Sequence, residues 1–266
     1  MTRVPRSIRH PAGIEHARQR LVRLPAMTPQ RLARLRKVLD QRQPDLVMVT
    51  DFVHKQRNLS AILRNCDAVG IMRVFAAIGD EDYRAFRGTT MGSHRWVTVT
   101  PTGDLDEALA PLEAQGLQTV AAHLDENAVD YREVDYTRPT AIVMGAERAG
   151  LSSQARQRVD HCVTIPMVGM VGSFNVSVAA GIILAEAQQQ RLRAGLYDHR
   201  RIDEKTYRRL FFQWAHPRLR AFCEERGLRY PELDDEGELV DAPGWYARVR
   251  AGTAARYVPA QETNSK

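Results

Sequence analysis

Short apolar runs alternate with helical patterns through the middle of the chain. Two amphipathic patterns, Asn58–Val69 and Leu105–Gln115, are each followed by a glycine of the kind that commonly ends a helix. Strands that alternate with helices of this length predict an α/β domain with a mainly parallel sheet. The six runs predicted as strands are Leu46–Val49, Val74–Ile78, Trp96–Val99, Thr119–Ala122, Ala141–Met144 and Cys162–Ile165.

Helical patterns continue on both sides of this region. Thr28-Pro29 is a typical helix start, and Leu32, Leu35 and Leu39 then repeat on one face. Further helices are predicted at Val176–Arg193, Glu204–Trp214 and Arg218–Arg226, whereas the last 40 residues predict irregular chain. The expected domains are a basic extension (1–26), an N-terminal helix (27–44), the α/β domain (45–193) and a C-terminal helical extension with a tail (194–266).

The charge changes sign along the sequence. Residues 1–44 carry 11 basic and 2 acidic side chains, residues 45–190 carry 12 and 18, and residues 191–266 carry 15 and 12. Basic flanks around an acidic middle suggest arms that contact a polyanion such as a nucleic acid, although solvated charged helices would give the same pattern. Residues 1–26 hold six arginines and one glutamate, so they are either a basic arm or the product of a start codon assigned too early.

Several classes of protein are excluded by composition. The three cysteines are far apart and odd in number, which argues against a disulfide framework or a zinc site and favours a reducing, cytoplasmic setting. The most apolar stretch, Val176–Ala185, is too short to span a bilayer. Gly145 and Gly150 have the spacing of a phosphate-binding P-loop, but Leu151-Ser152 replaces the Lys-Ser that would meet the phosphates.

Three polar clusters lie where a strand or loop meets a helix. Asn58 can cap the first predicted helix, and Arg64 follows on the same helix. Glu147 follows the strand Ala141–Met144, at the end of a strand where ligands bind in open α/β sheets. Ser173 and Asn175 end a long loop that contains Met167 and Met170. A solvated arginine, a helix-start carboxylate and a capped helix are the plain alternatives, but the last leaves the long apolar loop unexplained.

In this order the three clusters resemble the SPOUT class of RNA methyltransferases, and within it the TrmH family of tRNA 2′-O-ribose methyltransferases. The resemblance runs from Met27 to about Val249 and includes Arg42–Leu46, Asp135–Thr140 and Gly227–Pro231, the last of which favours enzymes that modify guanosine 18 in the D-loop. It implies a deep C-terminal trefoil knot, S-adenosyl-L-methionine as cofactor and a homodimer. A related enzyme acting on rRNA or another tRNA nucleotide, and a non-catalytic RNA-binding protein of the same fold, remain the alternatives.

The resemblance also assigns roles to individual residues. It makes Arg64 the catalytic residue, assisted by Asn58, Glu147, Ser173 and Asn175, and it places Ala122, Gly145, Ile165, Met167 and Phe174 against the cofactor. Ala122 and Phe174 replace a common threonine and leucine of the family, and Gln56-Arg57 replaces a Pro-containing pair. A guanidinium is almost always protonated, so Arg64 acts either as a transiently deprotonated base or as a phosphate and oxyanion clamp.

The tRNA partner is expected to bind the basic flanks, with a steep salt dependence. No metal is expected, because neither the hydroxyl nor the cofactor presents a phosphate that needs neutralisation. The arginines predicted to contact RNA are Arg31, Arg34, Arg36, Arg191, Arg193, Arg200, Arg201, Arg208 and Arg209, with the Arg84–Arg95 loop as a further candidate.

Overall fold

The structure is a computed structural model that describes residues 27–79, 95–123, 127–146, 150–151 and 153–257. The proposed basic extension, Glu147 and most of the Arg84–Arg95 loop lie outside the described residues. The chain divides into two compact units, which are described separately. One unit contains Asp40–Ile202, and the other joins the residues up to Leu39 with those from Asp203 onward.

A parallel sheet forms the centre of the unit Asp40–Ile202. In the described residues its seven strands are β1 (Leu46–Asp51), β2 (Arg73–Ala77), β3 (Thr98–Thr102), β4 (Gln118–Ala122), β5 (Val129–Asp130), β6 (Thr140–Gly145) and β7 (His161–Thr164). They lie in the order β3-β2-β1-β6-β4-β7-β5, and all of them pair in parallel. The prediction of an α/β fold with a mainly parallel sheet is therefore confirmed, while the knot stays a prediction.

Helices cover both faces of the sheet because the side chains of β1 alternate. Leu46 and Met48 point to a core shared with α2 (Gln56–Ala68) and α5 (Val176–Arg193), whereas Val47 and Val49 point to a core shared with α3 (Leu105–Glu113). A strand buried on both faces reads as a continuous apolar run, and all six residues of β1 are buried. The short α4 (Ser153–Arg158) precedes β7.

The second unit is helical and contains a segment that was predicted to be irregular. It holds most of α1 (Pro29–Asp40), together with α6 (Glu204–Ala215), α7 (Pro217–Arg226) and α8 (Ala242–Ala251). The prediction of irregular chain throughout the last 40 residues is wrong for α8. Asp241 caps this helix by accepting a hydrogen bond from the Gly244 N–H, and Trp245 anchors it against Phe212, Leu219 and Cys223.

No helix in the described part of the chain is long and apolar enough to cross a membrane. Within the same residues, no group of three or more His, Cys, Asp and Glu side chains is placed to hold a metal ion.

Candidate active site

The carboxyl ends of the central strands bring several predicted cofactor residues to one edge of the sheet. Gly145, the last residue of β6, pairs with Asp51 at the end of β1. Ala122 ends β4, where it pairs with Met144 and Val163, and Ile165 comes directly after β7. The chain leaves β1 towards β2 on one side of the sheet and leaves β6 towards β7 on the other, and open α/β sheets bind ligands where neighbouring strands lead in opposite directions.

The connection from β1 to α2 is bent sharply at this edge. Phe52 has φ +52°, a left-handed conformation that costs a non-glycine residue about 1–2 kcal/mol, and its N–H donates to the Ala77 carbonyl over 3.1 Å. Gly79 leaves room for the ring, because a Cβ there would lie 3.3 Å from Phe52 Cε1. The chain then enters α2 at Gln56, with Lys55 at the N-cap and no side-chain cap hydrogen bond. The prediction that Asn58 caps this helix is wrong, because Asn58 lies inside the first turn.

Asn58 instead contacts the third polar cluster. Asn175 Nδ2 donates to Asn58 Oδ1 over 3.2 Å, although the two residues are 117 positions apart. Asn58 is buried with 8% exposure. Asn175 is the N-cap of α5, and its Oδ1 accepts from the Ser177 N–H at 2.9 Å. The same amide thus caps α5 with its oxygen and joins α2 with its nitrogen.

A second contact between α2 and α5 was not predicted from the sequence. Asn65 Nδ2 donates to the Ser177 carbonyl over 2.9 Å, and a Cβ at Gly181 would lie 3.2 Å from that nitrogen. Arg64 precedes Asn65 but lies on the exposed side of α2. In the sequence, Gly181 indicates that another element packs closely against α5, but it does not identify α2 as that element.

The loop before α5 presents apolar side chains to solvent. Val168 and Met170 are fully exposed, Phe174 is 41% exposed, and Met167 is half-buried. Ser173 is exposed in the same loop. Side chains added at Gly169 and Gly172 would meet nothing within 4 Å. A contiguous exposed apolar segment next to polar groups is typical of a ligand or protein contact.

Backbone segments approach each other closely at the end of β6. A Cβ at Gly145 would lie 2.5 Å from the Gly150 carbonyl carbon and 2.7 Å from the Leu151 nitrogen, so the position has no room for a side chain. Gly150 has φ +66°, and its N–H donates to the Ala146 carbonyl over 2.9 Å. His123 Nδ1 would be 3.3 Å from a Cβ at Gly150. The two-glycine spacing thus serves this close backbone approach.

The residues at this edge fit S-adenosylmethionine. The cofactor offers a flat adenine and an aliphatic sulfonium, both of which suit apolar walls and backbone polar groups rather than a cluster of charges. The close backbone approach at Gly145 excludes side chains, and the chain that follows β7 offers apolar side chains at Ile165, Met167 and Phe174. A groove of about 450 Å³ at the opposite edge of the sheet, near Gln118 and His161, includes none of the predicted site residues.

Arg191, which was predicted to contact RNA, belongs to a buried ion-pair network. Its side chain has 0% exposure and lies 2.8 Å from Asp45 Oδ1. It also donates to the Tyr136 carbonyl over 2.8 Å and to Gln43 Oε1 over 3.0 Å. The structure contradicts the prediction for Arg191, because the guanidinium does not reach the surface. Its donors hold the segments before β1 and β6 against the end of α5.

Asp45 is the acidic centre of this network. Arg201 donates to its two carboxylate oxygens over 2.6 and 2.8 Å. Burial acts to raise the pKa of Asp45, but the hydrogen bonds from Arg201 and Arg191 outweigh it, so the pKa lies below its ordinary value. A neighbouring pair, Arg42 and Asp67, is 2.7 Å apart, with the Arg42 side chain fully buried. The segment Arg42–Leu46 therefore has a structural role that its local sequence did not reveal.

The other arginines predicted to contact RNA are at least partly accessible. Arg36 donates to the Asp235 carbonyl, and Arg31 donates to the Trp214 carbonyl over 3.1 Å. Arg208 pairs with Glu204 at 2.7 Å, and Arg200 lies 4.0 Å from Asp40. Arg36 and Arg201 are half-buried, whereas the exposed arginines of this set are Arg31, Arg34, Arg193, Arg200, Arg208 and Arg209.

The chain is similar to known proteins along most of its length. The family model described as "SpoU rRNA Methylase family" matches residues 45–185, and the model "SpoU, rRNA methylase, C-terminal" matches residues 189–242. The tRNA (guanosine(18)-2′-O)-methyltransferase of Escherichia coli strain K12 is 42% identical over 227 residues, which cover 85% of this chain and 99% of the relative.

Two solved structures are also similar. The TrmH/SpoU tRNA modifying enzyme of A. aeolicus aligns with a TM-score of 0.64 and 40% identity, over 71% of this chain and 96% of its own. An AdoMet-bound rRNA methyltransferase from Sinorhizobium meliloti aligns with a TM-score of 0.50 and 29% identity, over 58% of this chain and 59% of its own.

Proposed function

The chain belongs to the SpoU rRNA Methylase family, and from this we propose that it is a tRNA (guanosine(18)-2′-O)-methyltransferase that uses S-adenosyl-L-methionine. The observation that carries the proposal is the 42% identity to the E. coli enzyme over 99% of that enzyme's length. The contact between Asn58 and Asn175 supports it, because it joins two of the three polar clusters at the edge of the sheet where a ligand is expected.

The cofactor is held by the residues at the carboxyl edge of the sheet. Ala122, Gly145 and Ile165 offer backbone groups and apolar surface, and Met167 and Phe174 extend the apolar wall into the loop before α5. When bound there, S-adenosylmethionine supplies a methyl group on a positively charged sulfur.

Alignment of the ribose hydroxyl accounts for more of the catalysis than proton removal. Holding the 2′-oxygen in line with the methyl group lowers the activation barrier by about 7–11 kcal/mol. General-base assistance raises the rate by about 10²- to 10⁴-fold, which corresponds to a smaller reduction of the barrier. The residues that orient the hydroxyl are therefore expected to contribute more to the rate than proton removal does. Asn58, Ser173 and Asn175 have this orienting role, and Glu147 organises the loop after β6.

Arg64 activates the hydroxyl from the exposed side of α2. In its protonated form it binds the phosphate next to the target ribose and stabilises negative charge on the 2′-oxygen, while the hydroxyl proton passes to water. Its exposed position suits this role, because a large RNA has to reach it from solvent.

The tRNA binds arginines outside the catalytic cluster. Arg31, Arg34, Arg36, Arg193, Arg200, Arg201, Arg208 and Arg209 remain candidates for phosphate contacts, and a cytoplasmic location follows from this substrate. The protein acts as a homodimer, with the exposed apolar side chains Val168, Met170, Val171, Phe174 and Val178 at or near the contact between subunits.

Mapping the methylated nucleotide tests the proposal. Purified protein is incubated with bulk unmodified tRNA and methyl-labelled S-adenosylmethionine, and the product is digested and analysed by mass spectrometry. We expect 2′-O-methylguanosine at position 18, and a tRNA with adenosine at this position is the negative control. Methylation at another tRNA position or only in ribosomal RNA would overturn the assignment of the substrate, and tRNA binding without methylation would overturn that of the activity.

A further inference from the structure

The end of the described chain runs antiparallel to the residues that follow α7. Leu228 and Arg256 form an isolated bridge. The Arg229 N–H donates to the Ala255 carbonyl over 2.9 Å, and the Tyr257 N–H donates to the Gly227 carbonyl over 2.9 Å. Since side chains on paired strands alternate in direction, Arg229 and Tyr257 project on the same side of this pair. We call the face made by Gly227, Arg229 and Tyr257 the Tyr257 surface.

The ring of Tyr257 is open to solvent on this surface. Tyr257 is 65% exposed, and Arg229 is also exposed. Gly227 lies opposite Tyr257 and brings no side chain, and a Cβ added there would meet nothing within 4 Å. A large aromatic side chain beside an exposed arginine, with no side chain opposite it, leaves a flat area next to a positive charge.

Three carboxylates in this part of the chain pair with other arginines. Glu224 lies 2.8 Å from Arg220, Glu225 lies 3.3 Å from Arg226, and Asp241 lies 3.1 Å from Arg248. Within the described residues, no ion pair includes Arg229 or Arg256. From Ala242 to Gln261 the sequence contains three arginines and no acidic residue. The positive charge beside the ring therefore comes from Arg229 and Arg256 themselves, since residues 224–241 carry eight acidic and two basic side chains.

We propose that the Tyr257 surface binds an unpaired loop of the RNA substrate, with the ring of Tyr257 stacked on a base and Arg229 on the adjacent phosphate. Aromatic rings stack on every base, and an exposed guanidinium matches the geometry of a phosphate. Arg256 projects from the other side of the strand and adds charge for the flanking backbone. Ala255–Tyr257 lie beyond the family model, which ends at residue 242. This inference rests on the proposed function and adds a second contact area for the RNA.

The test measures tRNA affinity in full-length variants. We would compare Tyr257→Ala, Tyr257→Phe and Arg229→Gln with Arg220→Gln, a matched control that also removes one exposed positive charge from this unit. Dissociation constants for an unmodified tRNA transcript are measured by filter binding at several salt concentrations. Cofactor affinity and Tm are measured for each variant, and methylation at guanosine 18 by the wild type is scored independently.

We expect Tyr257→Ala to weaken tRNA binding by about 5- to 150-fold, because the loss of one base stack has this size. Tyr257→Phe keeps the ring and stays within about twofold of the wild type, whereas Arg229→Gln lowers the slope of log affinity against log salt by about 1. Cofactor affinity stays unchanged in all variants.

If both Tyr257→Ala and Arg229→Gln keep the wild-type tRNA affinity and salt slope, the proposal that the Tyr257 surface binds RNA is overturned. The methyltransferase assignment would remain intact. If Tyr257→Ala lowers Tm, the tRNA affinity and salt slope of the Arg229→Gln variant, whose substitution is solvent-exposed, decide whether the surface binds RNA. A wild type that fails to methylate guanosine 18 would instead contradict the proposed function.

Discussion

The side-chain amide of Asn175 caps α5 with its oxygen and hydrogen-bonds Asn58 on α2 with its nitrogen, 3.2 Å away. One planar group thus fixes the start of a helix and the relative position of two polar clusters. The two functions depend on different atoms, so substitutions can separate them.

Asn175→Ala should impair both stability and activity. Loss of the cap is expected to lower the free energy of unfolding by about 0.5–2 kcal/mol. Asn175→Asp keeps an oxygen that can accept from the Ser177 N–H but removes the donor to Asn58. We expect the Asn175→Asp variant to unfold at nearly the wild-type urea concentration and yet to lose at least about tenfold in kcat, since misplaced orienting groups cost about this much or more. Near-normal kcat in both variants would remove Asn175 from the group that orients the hydroxyl.

Arg64 should be essential for turnover but not for folding. Its side chain is exposed, and surface substitutions usually change stability by no more than about 0.5 kcal/mol. Arg64→Ala and Arg64→Lys should each lose about 10²-fold or more in kcat, because lysine does not reproduce the planar fork of the guanidinium. Cofactor binding, measured by calorimetry, should be unchanged. Normal turnover of Arg64→Ala with labelled methyl donor and a tRNA transcript would refute the catalytic role.

Gly145→Ala should damage the cofactor site through the backbone. The new methyl group would lie 2.5 Å from Gly150 backbone atoms, so the chain at the end of β6 has to move. We expect a loss of about 1–3 kcal/mol in the free energy of unfolding and weaker S-adenosylmethionine binding. Gly169→Ala is the matched control, because its methyl group would meet nothing within 4 Å. Equal cofactor affinity in the two variants would show that the close approach at Gly145 is irrelevant to the cofactor.

The Asp45 network should make stability depend on acidic pH. The pKa of Asp45 is lower in the folded protein than in the unfolded chain, so its contribution is fully present above the unfolded pKa of about 3.9 and disappears as the pH falls through the folded pKa. Asp45→Asn leaves the buried Arg191 without its anion and should cost about 3–5 kcal/mol at pH 7.

Urea unfolding of the wild type and of Asp45→Asn at pH 7 and near pH 3 measures this effect. The stability difference between the two proteins should shrink as the pH falls below about 4. A difference that stays constant over this range would mean that the Asp45 charge does not stabilise the fold.

The sequence was sufficient to predict elements that depend on local patterns. Apolar runs such as Leu46–Val49 became strands, and Gly70 follows α2 with φ +87°, as a helix-ending glycine should. The two-residue strand β5 has no comparable pattern, because its pairing with β7 rather than its composition makes it a strand. Likewise, α8 was missed because Pro243 and Gly244 suggest a turn, whereas Asp241 and the burial of Trp245 stabilise a helix.

Long-range contacts were less predictable from the sequence. Nothing near Arg191 distinguishes a buried guanidinium from an exposed one, since its partners Asp45 and Tyr136 are distant in the chain. The meeting of Asn58 with Asn175 depends on the packing of α2 against α5. Family resemblance pointed to these polar residues, but it could not state which atoms they use.

Helix α5 is held at both ends by contacts to distant parts of the chain. Its first turn bonds α2 through Asn58 and Asn65, and its last turn carries Arg191 into the Asp45 network. A helix held in this way cannot slide or rotate without breaking partly buried hydrogen bonds at its start or buried ones at its end. Substitutions at Arg191 or Asp45, at the far end of the helix from Asn175, are therefore expected to change catalysis by shifting the position of this helix.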